Sequence, residues 1–204
     1  LPLRNNARRT MPPSDSVRKA RPSIATPPAP HEPFWVFGYG SLMWKPGFEY
    51  EERVPGLLRG FHRSLCVYSN RHRGTFECPG LVMGLDRGGA CKGIAFRIAP
   101  ERVEATHAYL TEREQLSRVY IEVFPQIGLS DGRRIRALAY VVDRTHRQYA
   151  GKLAHEEIIR LVQQGSGQSG ACRDYVLNTL ASMEEMGVSD HALDWLKPAL
   201  SGAR

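Results

Sequence analysis

The sequence predicts an α+β fold: strands come first, one helix is inserted among them, and helices close the chain. Three observations carry this. Leu65-Val67, Ile94-Phe96-Ile98 and Ile121-Val123 alternate with period two, as half-buried strands do. Apolar residues in the last third recur at helical spacing. The strand and helix signals do not alternate as βαβ units would, so a doubly wound parallel sheet is not expected. The strands are expected to curl into a small barrel.

Taken in order, Phe34-Trp35-Val36-Phe37 is a short apolar run ending in Gly38-Tyr39-Gly40, a buried strand entering a tight loop. Further strands are expected over Ser64–Tyr68, Leu81–Leu85, Lys92–Ile98, Tyr120–Phe124 and Arg136–Val142. Gly88-Gly89 has the composition of a hairpin turn between the third and fourth runs, and Asp131-Gly132 of one between the last two. Pro100 suits a first helical turn, with Val103, His107 and Leu110 at helical spacing to about Thr111. Ile158, Leu161 and Val162 mark a second helix, and Cys172, Val176, Leu180 and Met183 a third that Gly187 ends. Ser189 is placed to cap a last helix running to Leu196.

The 204 residues divide into a tail, 1–33, and one domain, 34–204. The tail holds eight of the fourteen prolines and no aromatic residue, so it cannot bury enough apolar surface to offset its ordering entropy and is expected to be disordered. Met11 lies inside it and offers an alternative start. Six basic and two acidic side chains in the tail give it +4 of the formal +7 net charge. The +3 left on the body is weak evidence for a polyanion, and no nucleic-acid partner is expected. No run of eighteen apolar residues occurs, so no membrane partner is expected. Cys66, Cys78, Cys91 and Cys172 lack C-x-x-C or zinc spacing and are read as reduced thiols of a cytoplasmic protein.

Four segments could carry chemistry. Tyr39-Gly40-Ser41-Leu42 follows a strand, and its glycines let bare N–H groups approach an anion or a carbonyl oxygen, though an ordinary tight turn has the same composition. Met43 stands where a dinucleotide fingerprint needs glycine, and no Gly-Lys-Ser/Thr follows, so the NAD and ATP readings fall. Tyr68 to Gly74, at the end of a strand and with Arg71 and Arg73, can grip a carboxylate or can be a solvated basic loop. Glu112 and Glu114 are two apart, on different faces of a helix, so they cannot form a paired-carboxylate site. One acting alone just past a helix C-terminus would have a raised pKa, useful for proton transfer near neutral pH. Gly165 to Gly170, read alone, is a flexible linker before a helix that carries Asp174 and Tyr175. There is no nucleophile elbow and no metal-binding helix motif.

Together these segments resemble the ChaC-type, glutathione-specific γ-glutamylcyclotransferases. FWVFGYGSLMWKPGF at 34–48, HRG at 72–74, YLTEREQ at 109–115 and GSGQSGACRDYV at 165–176 follow in that family's order, and the resemblance covers roughly residues 34–198. It implies a small mixed β-barrel with flanking helices and a lyase that needs neither cofactor nor metal. The substrate would be glutathione, cleaved to 5-oxoproline and Cys-Gly. Separately from the resemblance, a monomer is expected. By the resemblance Glu114 is the catalytic acid/base and Tyr39, Gly40, Ser41 and Leu42 the substrate cradle, with Tyr175, Arg73 and Ser69 as further substrate contacts. Two places depart from the family pattern. Gly74 to Gly80 reads GTFECPG where a more basic stretch is expected, and Arg118 stands where a glycine-rich turn is usual. Other γ-glutamyl amines as substrates, or a non-catalytic role linked to cation transport, are the alternatives.

Overall fold

The computed structural model describes residue 27, residues 32–115 and residues 118–202. Apart from Pro27, Glu32 and Pro33, the tail expected to be disordered lies outside the described residues.

Strand β1 (Phe34–Gly38) leads through a 3₁₀ turn (Ser41–Met43) to two long strands, β2 (Glu52–Ser69) and β3 (Gly80–Ile98). After α1 (Val103–Gln115) come β4 (Tyr120–Val123), β5 (Gln126–Leu129), β6 (Arg134–Arg136) and β7 (Ala139–Val142). Helix α2 (His155–Gln164), a minimal hairpin of β8 (Ser166–Gly167) and β9 (Gly170–Ala171), α3 (Cys172–Glu185) and α4 (Leu196–Ser201) complete the order.

The main sheet runs β1-β3-β2-β5-β6, with antiparallel neighbours throughout. β4 and β7 form a second antiparallel pair. The residues before β7 run parallel to β1: the Phe37 N–H donates to Leu138 O and the Leu138 N–H to Trp35 O, both at 2.8 Å. The residues after β7 return to the end of β2, where the Tyr68 N–H donates to Gln148 O and the Ala150 N–H to Cys66 O, again at 2.8 Å. These links curl the sheet part-way into a barrel around Val36, Phe37, Leu58, Leu81, Ile94, Phe96 and Leu138, all buried. α2 and α3 pack on β3 and add Leu161, Val162, Cys172 and Val176 to the same core.

Several expectations change. Gly88-Gly89 is not a hairpin turn. Both glycines have positive φ (103° and 68°), yet they sit within β3 at a bulge opposite Gly60, where pairing shifts from Arg59↔Ala90 to Phe61↔Arg87. A glycine pair serves a turn or a bulge equally well, and β2 is long enough to keep pairing on both sides. Asp131-Gly132 does turn a hairpin, with Gly132 at φ 90°, but it joins β5 to β6 rather than β4 to β7. The run expected over Arg136–Val142 divides at Ala137-Leu138 into β6 and β7. Helix α1 extends past Thr111 to Gln115. The last helix begins at Leu196, where it was expected to end. Pro198 fits its first turn, whose N–H groups have no intrahelical acceptor in any case.

Candidate active site

One cavity of about 740 Å³ opens between the 3₁₀ turn, the ends of β2 and β3, α1 and the start of α3. Every sequence-predicted site residue lines it: Tyr39, Gly40, Ser41, Leu42, Ser69, Arg73, Glu114 and Tyr175.

Glu114 lies in the last turn of α1, not beyond it, with its side chain 18% exposed; Glu112 is exposed. Docking of α1 thus separates the two acids that spacing alone could not rank. Burial pushes the Glu114 carboxyl above the ordinary carboxylate range, and the neighbouring Arg113 guanidinium, with Nε 3.2 Å from Oε1, pulls it only part of the way back. The carboxylate faces a set of tyrosines. Burial holds the Tyr39 and Tyr120 hydroxyls well above their usual range and the Tyr175 hydroxyl up at about 12, and the Glu114 charge adds to each shift. Tyr140 moves the same way, through burial and the charge of Glu122. All four stay neutral hydrogen-bonding groups near pH 7.

The backbone of Met83 orients two of them: its N–H donates to Tyr175 Oη at 3.2 Å, and its carbonyl accepts from Tyr120 Oη at 2.9 Å. Tyr175 Oη, having accepted that bond, keeps its own proton to donate. Gly40 faces it, since a Cβ there would stand 3.9 Å from Tyr175 Oη and 3.8 Å from Met83 Cβ.

Arg113 fixes the loop after β1. Its Nη2 donates to Ser41 Oγ at 2.9 Å, and its Nη1 donates to Lys45 O at 2.9 Å, Pro46 O at 3.1 Å and Tyr109 Oη at 2.9 Å. Gly47 completes the anchor with φ 79°, where a Cβ would fall 2.1 Å from Tyr109 Oη. Only glycine meets both demands.

The other wall is the segment from Ser69 to Gly74. Ser69 Oγ accepts the Arg73 N–H at 3.0 Å, and Arg73 Nη1 donates to the carbonyls of Ser169 and Ala171 with its Cζ 5.3 Å from the Tyr175 ring centre. The glycine-rich stretch is a clamp, not a flexible linker. The Gln168 and Ser169 N–H groups donate to Arg71 O and His72 O, both at 2.9 Å. A Cβ on Gly167 would lie 2.5 Å from Arg71 O, and one on Gly165 2.5 Å from Arg73 O. His72 is exposed and its Nδ1 lies 3.0 Å from Ser169 Oγ. Partial desolvation of the ring, together with the charges of the flanking Arg71 and Arg73, holds its pKa below the usual histidine value.

Sequence reasoning missed the cavity residues Lys45, Tyr120, Tyr140, Arg147 and Gln148. The two tyrosines sit in strand patterns indistinguishable from core. With Arg71, Arg73 and Arg113, the lysine and arginines make the cavity cationic apart from Glu114, so it suits an anionic ligand with a proton to exchange. Among the described residues, no group of three or more His, Cys, Asp or Glu side chains could hold a metal ion. Among them, too, no helix is long and apolar enough to cross a membrane. Arg118, where the resemblance leads one to expect a glycine-rich turn, keeps φ 56°, in the left-handed region that favours glycine.

Comparison with known proteins agrees with this architecture. The family model described as ChaC-like protein matches residues 34–201. The glutathione-specific γ-glutamylcyclotransferase of Escherichia coli (strain K12) is 33% identical over 162 residues, covering 79% of this chain and 70% of that protein. Glutathione-specific γ-glutamylcyclotransferase 1 of Homo sapiens is 32% identical over 159 residues, 75% of this chain and 71% of its own. A crystal structure of the yeast γ-glutamyl cyclotransferase specific to glutathione superposes with a TM-score of 0.78, covering 85% of this chain and 97% of its own; at 22% identity it speaks for the fold. On the extent of the family match and on these identities, the chain belongs to the ChaC-like family.

Proposed function

We propose that the chain is a glutathione-specific γ-glutamylcyclotransferase, a lyase releasing 5-oxoproline and Cys-Gly. The observation that carries this is Glu114: a carboxyl of raised pKa facing the same cavity as the Tyr39–Leu42 loop and the cationic Ser69 to Arg73 wall. The relatives' named activity supports the choice of glutathione.

The α-amine of the γ-glutamyl unit attacks its own γ-carbonyl carbon. A C–N bond closes the five-membered lactam, and the γ-amide C–N bond breaks to expel the amine of Cys-Gly. The nucleophile is already tethered, so holding the substrate folded supplies several kcal/mol, of the order found for oriented intramolecular reactions. Glu114 accepts a proton from the ammonium and returns one to the leaving nitrogen. A carboxyl raised above its ordinary range does both near neutral pH, which no arginine here can do. The backbone N–H groups of Gly40, Ser41 and Leu42 meet the glutamyl carboxylate or the oxyanion, and the Tyr175 hydroxyl faces the same point. Ser69 and Arg73 hold the far wall. The cyclisation requires no cofactor.

The eight residues line one cavity within a single chain, so the reading needs no residue from a second subunit, and a monomer is the proposed active unit. The family match beginning at residue 34 supports a catalytic domain over 34–204, so removal of the tail is expected to leave turnover unchanged. A cytoplasmic setting fits four free thiols and an abundant thiol substrate.

Phe76, 72% exposed on the cavity rim within the stretch that departs from the family pattern, favours a second reading: γ-glutamyl compounds with a different leaving half. Incubating the full chain with glutathione, glutathione disulfide and γ-Glu-Ala while following 5-oxoproline separates the two. Release from glutathione above the others supports the first reading; preference for γ-Glu-Ala supports the second. No release from any of the three defeats both.

A further inference from the structure

Arg63, on β2, is 1% exposed, and its side chain has no access to solvent. An arginine keeps its charge at every accessible pH, and a buried charge costs several kcal/mol unless it is paired and fully hydrogen-bonded. Its partners come from three separate parts of the chain. Nε donates to Tyr39 O at 2.5 Å, Nη2 to Lys92 O at 2.6 Å, and Nη1 to Asp190 Oδ2 at 2.8 Å; Met43 Sδ lies 3.8 Å from Nη2. Asp190, in the connection between α3 and α4, is the one anionic partner among them.

Two of these contacts fall on the loop that Arg113 grips from the other side. Arg113 holds Ser41 Oγ and the carbonyls of Lys45 and Pro46, while Arg63 holds the carbonyl of Tyr39 and touches Met43. The loop thus hangs between two guanidinium groups, one from α1 and one from the core. The second is neutralised by a residue 127 positions away in sequence.

We propose that Arg63 and Asp190 are positioning residues for the cyclotransferase site: the buried guanidinium fixes the Tyr39 carbonyl and so the aim of the Gly40 to Leu42 N–H groups, and Asp190 keeps it there. The inference rests on the functional reading above. With the carboxylate removed, the guanidinium turns toward water or a new acceptor and releases Tyr39 O. Glu114 is carried by α1, to which neither Arg63 nor Asp190 is hydrogen-bonded, so its own burial and its Arg113 partner are retained.

The test compares the full-length protein with Asp190→Asn, Asp190→Glu and Arg63→Lys at a temperature where circular dichroism shows each folded. Asp190→Asn is expected to lower kcat/KM for glutathione at least tenfold with the midpoint of the pH profile unmoved. Amide exchange over residues 39–43 is expected to speed up by a similar factor. Asp190→Glu, which keeps the charge, recovers part of both losses; if the asparagine variant does not fold, the glutamate variant is read alone and gives an intermediate loss in both. Wild-type kcat/KM and exchange in a folded Asp190 variant, with only a lower Tm, would overturn the inference and leave a merely structural ion pair. Should the wild type itself release no 5-oxoproline, the functional reading fails, and exchange over 39–43 alone decides whether Asp190 positions the loop.

Discussion

Arg113 and Glu114 are chain neighbours whose charged groups meet, Nε to Oε1 at 3.2 Å, yet the acid still titrates above its ordinary range. The guanidinium is committed elsewhere. Both of its terminal nitrogens donate to Ser41, Lys45, Pro46 and Tyr109, leaving only Nε for the carboxylate. One side chain therefore pins the loop after β1 and tempers the pKa of the acid beside it.

Arg113→Lys separates those two duties. A lysine keeps a cation near Glu114 but cannot reach Ser41 and two carbonyls together, because it lacks the planar fork. Loss of loop position should lower kcat/KM for glutathione by about 10²-fold, the scale expected when a reacting group is misplaced by about 1 Å. Steady-state kinetics on the purified variant checks it, and wild-type kcat/KM would show that the anchor is dispensable.

Glu114 gives stability and activity opposite dependences on pH. Its folded pKa is raised, so its contribution to stability is fully present below the ordinary glutamate value and is lost as pH rises through the folded value. Activity needs the ionised base, so kcat/KM should rise across that same window. In denaturant melts, Glu114→Gln should gain on wild type as pH increases from the ordinary carboxylate range upward. Comparing the two proteins cancels carboxylates such as Asp86 and Asp131, whose lowered pKa values act in the other direction. Parallel stability curves would show that Glu114 is not held in a raised state.

The clamp predicts a contrast between two glycines. Gly167→Ala puts a methyl 2.5 Å from Arg71 O and 2.7 Å from Gly74 N, backbone atoms that cannot swing aside, and should cost about 1–3 kcal/mol as overpacking does. Gly128→Ala has nothing within 4 Å of the added Cβ and should stay within about 0.5 kcal/mol of wild type. Equal losses in urea melts would rule out the clamp.

The contrast also shows what the sequence could carry. Residues adjacent in sequence were readable: the loop after β1 and the Ser69 to Arg73 wall each sit within one short motif, and all predicted positions reach one cavity. Facts that arise between distant segments were not. The glycines at 165–170 have linker composition, and only the approach of 71–74 from across the fold makes each missing Cβ a requirement. Gly88-Gly89 has the composition of a turn because nothing nearby reveals that β2 runs past it with a partner bulge at Gly60. Tyr120 and Tyr140 read as core residues, since strand alternation says which face a side chain takes and not what that face meets. Which of Glu112 and Glu114 points inward waits on how α1 docks.

The most direct test of the account is 5-oxoproline release from glutathione by Glu114→Gln beside wild type, with glutathione binding followed by calorimetry. Glutamine is nearly isosteric and cannot shuttle a proton, so turnover should fall by about 10²–10⁴-fold, the usual worth of a general acid/base, while binding persists. Turnover equal to wild type in the glutamine variant would contradict the central claim.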